Sequence, residues 1–526
     1  MHHPGGPISI PAIHNFVPEK LKPWIFILFL IIIQFSSGGI YMATINELVG
    51  GNDLTQEDVL MAGYASLVGT ALTFTIMLRL KLRFISKHIF LVCGAVLVAA
   101  NLISLYTNNI FVLVSVCFIA GIFRMWVTFE CNSTIQLWTT PKRDLSIFFC
   151  FVYLLVQGSI LLSGSTQIYV TFITTWQYVH WMMIGALLFM MLTVAIIFNN
   201  IRFIPKFPLF GIDWLGMLMW GLFMLCVNFV GVYGDHYDWL DSWQIQMASV
   251  FGLGVLGLNL LRASFIRHPF IPLQVFKYPI VYLSVFIYLL VDLFISPSHL
   301  IEEIYLHEIL QYDVHHTITI NSIGFFGIFA ACAFTYFYFA KAKNSYKSTF
   351  LIGFAGVMVY LVMMYFTLDY NTSQTMYGIS IFFRNFGYII MAIVLITSLT
   401  KVPFNHFFQA ITVQAIVSVA CGSAVVGAVL HHLFSHTMTK NFQLLSANID
   451  HVNPYIMQYS PAQIGGMLQH QALMVSFKEI YGLLIIISLL TFLFLLWYQF
   501  PSLPRNSIFP KWKTWRKKLK KEISTP

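Results

Sequence analysis

Four ionisable residues stand inside long apolar stretches of this sequence: Arg124, Glu130, Asp292 and Arg384. Such a residue at membrane depth costs about 2.5–3.5 kcal/mol on insertion scales, so each is a candidate for function. A carboxylate there can take up and release a proton, and an arginine can attract an anionic group or neutralise a carboxylate. We therefore predict that Glu130 and Asp292 couple protons to the activity, and that Arg124 and Arg384 bind a substrate or pair with charges.

The stretch around Glu130 is unusually polar. Arg124 and Glu130 lie six residues apart, which on an α-helix is about 240° of rotation, so they do not share a face. Asn132 and Thr134 follow Glu130, and Gln157 lies in the next apolar stretch; we predict the same binding or pairing role for these three. One interpretation is a cavity wall with a titratable carboxylate. The alternative is a buried ion pair that locks this stretch to a neighbour.

Asp292 and Arg384 also have alternative interpretations. Asp292 precedes Ser-Pro-Ser-His at 296–299, where the proline could break or kink the helix near its outer end, so Asp292 could be a packing residue close to the interface. Arg384, beside Asn385, could contact an anionic substrate or neutralise a carboxylate from another bundle. Asp213 opens a predicted helix, where a carboxylate meets the positive end of the helix dipole, so a capping role is expected.

The elements that carry these residues are long apolar segments. Of the 526 residues, 58% are hydrophobic and 9% charged, whereas soluble domains carry about 25% charged residues. A helix needs about 20 mostly apolar residues to cross a bilayer, and these segments do not alternate as strands of a membrane barrel do. The sequence therefore predicts an all-α polytopic membrane protein with fourteen spans, at 24–47, 59–81, 88–107, 109–137, 146–171, 177–200, 211–234, 243–263, 279–300, 318–340, 348–367, 375–400, 408–433 and 476–499.

Loop charge sets the predicted orientation. The loop after the second span is basic and includes Lys81, whereas loops on the opposite side are acidic and include Glu302. By the positive-inside rule both termini are cytoplasmic, as a segment at 1–23 and a basic tail at 501–526. The net charge of +9 follows from this bias and from contact of the tail with anionic lipid, so no nucleic-acid partner is expected. A long external loop is predicted at 434–475.

No catalytic or cofactor-binding motif stands out. The seven cysteines lie in apolar runs and form no C-x-x-C pair, so neither a disulfide framework nor a zinc site is indicated. His431, His432 and His436 cluster without a thiol or carboxylate nearby in the sequence. There is no P-loop, G-x-S-x-G or H-E-x-x-H pattern, which argues against ATP-driven transport and against hydrolytic chemistry. We predict a protein without metal, cofactor or enzymatic activity.

Several segments resemble the fourteen-span drug:proton antiporters of the major facilitator superfamily. TTWQYVHWMMIGALL at 174–188 resembles the family's entry into the sixth span. RHPFIPLQVFKYP at 267–279 resembles its connection into the second bundle, and FFRNFGYIIMAIVLIT at 382–397 resembles its twelfth span. The resemblance implies a major facilitator fold with a central cavity and alternating access.

That fold implies two six-helix bundles, 24–200 and 267–500, bridged by two linker helices at 201–266. The sequence also departs from the family pattern. The loop between spans 2 and 3 reads MLRLKLRFISKH at 77–88, without the family's Gly and Asp, and span 5 lacks the Gly-Pro motif of antiporters. The family's coupling residues therefore cannot be transferred to this chain.

The leading functional interpretation is a proton-driven exporter of lipophilic or amphiphilic small molecules, of the multidrug efflux type, in the inner membrane. In Gram-negative members the resemblance also implies a periplasmic adaptor and an outer-membrane channel, which the loop at 434–475 could dock. One alternative is a proton-coupled nutrient or metabolite symporter, which the missing span 5 motif favours. The other is a receptor or enzyme that keeps the fold without transporting.

Overall fold

The structure is a computed structural model that describes residues 13–14, 16–35, 45, 48–49, 54–140, 144–200, 208–447, 449 and 459–498. Within these ranges the chain forms a series of long helices, which we number α1 to α14. Their bounds are α1 Lys22–Phe35, α2 Gln56–Arg83, α3 Ser86–Tyr106, α4 Ile110–Thr139, α5 Leu145–Ile173, α6 Trp176–Ile197, α7 Trp214–Tyr233, α8 Trp243–Phe265, α9 Pro279–Ile309, α10 Val314–Lys341, α11 Tyr346–Thr367, α12 Gln374–Leu399, α13 Phe404–Ser446 and α14 Pro461–Trp497.

The helices follow the predicted spans. Thirteen described helices are long and apolar enough to cross a bilayer, and α1 is a shorter apolar helix at the start of the first predicted span. The protein is thus an all-α, multi-pass membrane protein. The predicted segment at 1–23 and the tail at 501–526 lie largely or wholly outside the described residues, and the cytoplasmic placement of both termini stays a prediction.

Two predicted boundaries are wrong. Helix α9 continues past residue 300 to Ile309, so Glu302, predicted in an external loop, lies on a helix. The predicted loop at 434–475 is largely helical, because α13 continues to Ser446 and α14 begins at Pro461. Both extensions carry polar residues, and a hydropathy criterion stops where polar residues begin. The surface predicted to dock an adaptor is therefore mainly a helical hairpin.

The two ends of the bundle differ in charge. One end, which we call the basic face, carries Lys81 at the end of α2 and Lys87 at the start of α3. The other, which we call the acidic face, carries Asp58 at the start of α2, Asp235 in the turn after α7 and Asp313 before α10. By the positive-inside rule we expect the basic face to be cytoplasmic.

Two helices are irregular close to the middle of the structure. Helix α9 is interrupted at Ser296, because Pro297 cannot donate the backbone hydrogen bond that would continue the first segment. Helix α13 contains a π-turn at Ile416–Cys421, directly before Gly422. Turns of this type are frequent at functional sites, so these irregularities mark a region of interest.

We call α1–α6 the N-terminal half and α9–α14 the C-terminal half. Glycines allow close helix packing inside each half. A Cβ atom on Gly121 of α4 would collide with the Ser66 carbonyl of α2. A Cβ on Gly387 of α12 would lie 2.5 Å from the Gly353 carbonyl oxygen of α11. Glycine lets the backbones of membrane helices approach this closely.

The two halves contact each other through two pairs of helices. Helix α2 packs on α13, where the hydroxyls of Thr75 and Thr412 are 2.6 Å apart. Helix α5 packs on α10, where the rings of Phe151 and Tyr336 have centroids 5.8 Å apart. Helix α7 packs against both α2 and α13, and α8 packs on α7. The two linker helices therefore lie on the outer side of the contact between α2 and α13.

Matching lysines relate the two halves. Lys87 is the second residue of α3, and its ammonium donates to the Phe198 carbonyl beyond the end of α6, at 2.9 Å. Lys347 is the second residue of α11 and donates to the Tyr498 carbonyl beyond the end of α14, at 2.8 Å. Arg124 and Arg384 follow these lysines at the same separation in the sequence. The two halves thus share this contact, and the two arginines stand in corresponding sequence positions relative to it.

Asp213 caps the start of α7, as predicted, and its hydrogen bonds also connect α7 to α8. Its carboxylate accepts the Gly216 N–H at 2.9 Å and two hydrogen bonds from the Arg262 guanidinium, at 2.6 and 2.8 Å. It also accepts the Phe270 N–H at 3.1 Å. Burial opposes the charged form, but the bonds from Arg262, Gly216 and Phe270 outweigh it and hold the pKa of Asp213 below its usual value.

Candidate functional site

Arg384 is paired within its own half. Its Nη1 donates to Oε2 of Glu302 at 2.5 Å, and the Tyr360 hydroxyl donates to Oε1 of Glu302 at 2.6 Å. The Tyr481 hydroxyl lies 3.3 Å from that of Tyr360. Glu302 is buried, so this network ties the far part of α9 to α11, α12 and α14. The expectation that Arg384 could neutralise a carboxylate from the other bundle is wrong, since Glu302 belongs to the same half.

Glu130 is also paired. Its Oε2 lies 3.2 Å from Nζ of Lys81, and the side chains are only 1% and 5% exposed. The Ser86 hydroxyl donates to Oε1 of Glu130, and the Lys81 ammonium donates to the Ser133 hydroxyl, both at 2.5 Å. This geometry matches the alternative interpretation, a buried ion pair that locks α4 to α2 and to the start of α3.

The neighbours of Glu130 do not gather around a common point. The Thr134 hydroxyl donates to the Glu130 carbonyl of its own helix, at 2.9 Å. Asn132 is buried, and its Oδ1 has no hydrogen-bond partner among the described residues. Gln157 is partly buried on α5, beside Gly158, which packs on the Phe325 ring of α10. Roles for these three residues in substrate binding stay predictions.

Arg124 is a buried cation. It is 6% exposed, and its Nη2 donates to the Thr70 hydroxyl of α2 at 2.8 Å. No carboxylate pairs with it within the described parts of the chain. This contrasts with Arg384, which stands in the corresponding sequence position, and leaves Arg124 able to attract an anionic group.

Asp292 lies where the two irregular helices meet. A Cβ on Gly422, directly after the π-turn of α13, would lie 2.6 Å from Oδ2 of Asp292. That oxygen is shielded from solvent and has no hydrogen-bond partner in the part of the chain that the structure describes. No basic side chain pairs with Asp292 there either. Because α9 runs to Ile309, Asp292 is near the middle of its span, not near the outer end as the sequence suggested.

Tyrosines from both halves lie in the region of this carboxylate: Tyr64 on α2, Tyr153 on α5, Tyr288 on α9 and Tyr388 on α12. Sequence reasoning missed the tyrosines, because nothing separates them from the other tyrosines among the 25 in the chain.

The electrostatic cost of burying the Asp292 carboxylate can be removed in only a few ways. A buried carboxylate without a counter-charge is costly, and binding a proton or a cationic group removes the cost. Nearby phenol groups can donate hydrogen bonds to the charged form. Since α2 of the N-terminal half packs on the π-turn of α13 that directly precedes Gly422, a movement of one half against the other changes the surroundings of Asp292. The site can therefore couple proton binding to the arrangement of the halves.

The same architecture is found in solved transporters. A POT family transporter in complex with 5-aminolevulinic acid matches with a TM-score of 0.58 and 13% identity, covering 92% of this chain and 98% of that one. A mutant of a peptide transporter POT in complex with sulfate matches with 0.55 and 13%, covering 93% and 98%. The nucleoside transporter NupG matches with 0.52 and 10%, covering 91% and 100%.

The protein has a major facilitator fold. At these identities the likeness shows the fold alone. No protein-family model matches the sequence, and no curated protein sequence does. The predicted membership of the fourteen-span drug:proton antiporters therefore stays a prediction. In this fold Asp292 lies on a helix at the junction of the two halves.

Proposed function

We propose that the protein is a proton-coupled secondary transporter that moves a small molecule by alternating access, with Asp292 as the proton-binding group. The observation that carries the proposal is a mid-span carboxylate, shielded and without a basic partner among the described residues, at the junction of the two halves. Protonation would remove its charge when the site opens to the acidic side. Loss of the proton on the other side would restore that charge and favour the return movement.

Asp292 fits this role better than Glu130, the other predicted carrier. A carrier must be tolerated in both protonation states. Protonation of Glu130 would strand the buried Lys81 cation 3.2 Å away, and stranding one member of a buried pair is strongly destabilising. Protonation of Asp292 strands no described basic group. Glu130 is therefore assigned to holding α4 in place.

The direction of transport has two candidates, and we favour uptake by symport. The missing Gly-Pro motif in span 5 argues against antiport. The solved structures of similar fold include peptide and nucleoside transporters, so a small polar nutrient or metabolite is the first substrate class to test. The second candidate is export of lipophilic or amphiphilic compounds, which the tyrosines in the region of Asp292 would suit.

The test uses purified protein in vesicles that contain a pH-sensitive dye, to which dipeptides, nucleosides or lipophilic amphiphiles are added outside. Symport carries protons inward with the substrate and acidifies the lumen. Antiport carries protons outward as substrate enters and makes the lumen more alkaline. The sign of the change does not depend on how the protein is inserted. Substrate uptake that is unaffected by an imposed pH gradient, with no pH change in the lumen, would refute proton coupling.

A further inference from the structure

The linker hairpin, which we define as α7, the turn at 234–242 and α8, contacts both halves at the acidic face. On the N-terminal half, the Tyr233 hydroxyl at the end of α7 donates to the Asp58 carboxylate at the start of α2. Tyr233 is 7% exposed, so water competes little for this bond. The hairpin is thus firmly held by α2.

On the C-terminal half, the turn of the hairpin reaches α13. Oδ2 of Asp235 lies 3.3 Å from Nδ1 of His431, and the Trp239 ring meets the His432 ring edge-on with centroids 6.1 Å apart. The side chains of His431 and Asp235 are 44% and 48% exposed. Exposed pairs of this kind contribute about 0–1 kcal/mol. The pair of Asp235 and His431 is therefore easier to break than the hydrogen bond between Tyr233 and Asp58.

The backbone of the turn is shaped to make the second contact. Asp238 and Trp239 both have a φ of 54°, a left-handed conformation that is uncommon for residues other than glycine. Holding a bulky tryptophan there costs on the order of 1 kcal/mol or more. This costly conformation is adopted by the residue whose ring reaches His432 of α13.

We propose that the linker hairpin is a clasp: it is anchored on α2 and grips α13 through Asp235 and Trp239, and it releases α13 each time the acidic face opens. This rests on the proposed function, because alternating access requires α2 and α13 to separate at one face and then at the other. At the acidic face the contact of the turn with α13 is the more exposed of the two side-chain contacts, which fits a contact that must form and break in each cycle. The two inserted helices then gate one side of the pathway.

The clasp is tested by fixing it shut. Cysteines replace Asp235 and His431, and a short, polar, thiol-specific bifunctional reagent joins them. The matched control replaces Tyr370 and Gln471, whose side chains are hydrogen-bonded at 2.9 Å in the C-terminal half, also at the acidic face. Of the seven native cysteines six are buried and Cys226 is partly buried, and reagent-treated wild type reports any reaction there.

The first crosslink is expected to abolish transport, and the control crosslink to leave it unchanged. Hydrogen exchange provides a readout that needs no substrate: the first crosslink should slow exchange at the ends of α2 and α13 near the acidic face, and the control should not. Full transport with unchanged exchange in the first crosslinked variant would overturn the clasp. Failure of that pair to crosslink while the control pair does would overturn it too. If no variant transports any compound, the proposed function fails, and hydrogen exchange still decides the clasp.

Discussion

Removal of the Arg384 guanidinium is expected to destabilise the C-terminal half by several kcal/mol. In Arg384→Gln, Glu302 stays 4% exposed in a site that has lost the charged donor at 2.5 Å, although it keeps the Tyr360 hydroxyl. Breaking a buried ion pair by removing one partner costs about 3–5 kcal/mol, because the remaining charge is left uncompensated. The hydrogen-bond network around Glu302 also holds the part of α9 beyond Pro297. This part of α9 should therefore unfold first.

A double-mutant cycle with Glu302→Gln separates the pair from other effects of the substitutions. Unfolding is followed in detergent by tryptophan fluorescence as the temperature rises. Each single variant should unfold well below the wild type. The double variant, which leaves no buried charge, should recover a large part of the loss. An Arg384→Gln variant that unfolds like the wild type but fails to bind substrate would refute this reasoning and make Arg384 a substrate contact.

Three further predictions concern other contacts. Glu130→Gln should lower the unfolding temperature by stranding Lys81, and adding Lys81→Met should restore part of it; no recovery would contradict the ion pair. Asp213→Asn should cost about 1–3 kcal/mol at neutral pH by weakening its bonds to Arg262. The pKa of Asp213 is lower in the folded state than in the unfolded one. Its contribution to the free energy of unfolding is therefore present at neutral pH and lost as the pH falls through the folded pKa. The difference in stability between Asp213→Asn and the wild type should accordingly shrink in acid. Gly121→Ala should destabilise α2 against α4, whereas the control Gly185→Ala, with no atom within 4 Å of the added carbon, should not.

The fold was largely predictable from the sequence, because a run of apolar residues is enough to specify a membrane helix. The errors fall where a helix leaves the apolar region. The predicted ninth span stops at residue 300, yet α9 continues to Ile309, and α14 begins at Pro461 well before its apolar run. Polar residues within a helix weaken its hydropathy signal, so such extensions cannot be found from apolar runs.

The site was predictable only in part. Asp292 was found from its charge in an apolar run, but the partners of the other ionisable residues were not. Lys81 and Glu302 belong to stretches that were assigned to loops, and they lie 49 and 82 residues from Glu130 and Arg384. Which charges are neutralised depends on helix packing, and no local pattern in the sequence carries that information.

The central claim, that Asp292 binds the coupled proton, is tested most directly by Asp292→Asn. The variant mimics the protonated carboxyl at all pH values. It should lose uphill accumulation of substrate driven by a pH gradient, and keep exchange of labelled for unlabelled substrate across the same vesicles, now independent of pH. Retained exchange also shows that the variant is folded. Uphill accumulation that survives in Asp292→Asn with an unchanged pH dependence would contradict the claim.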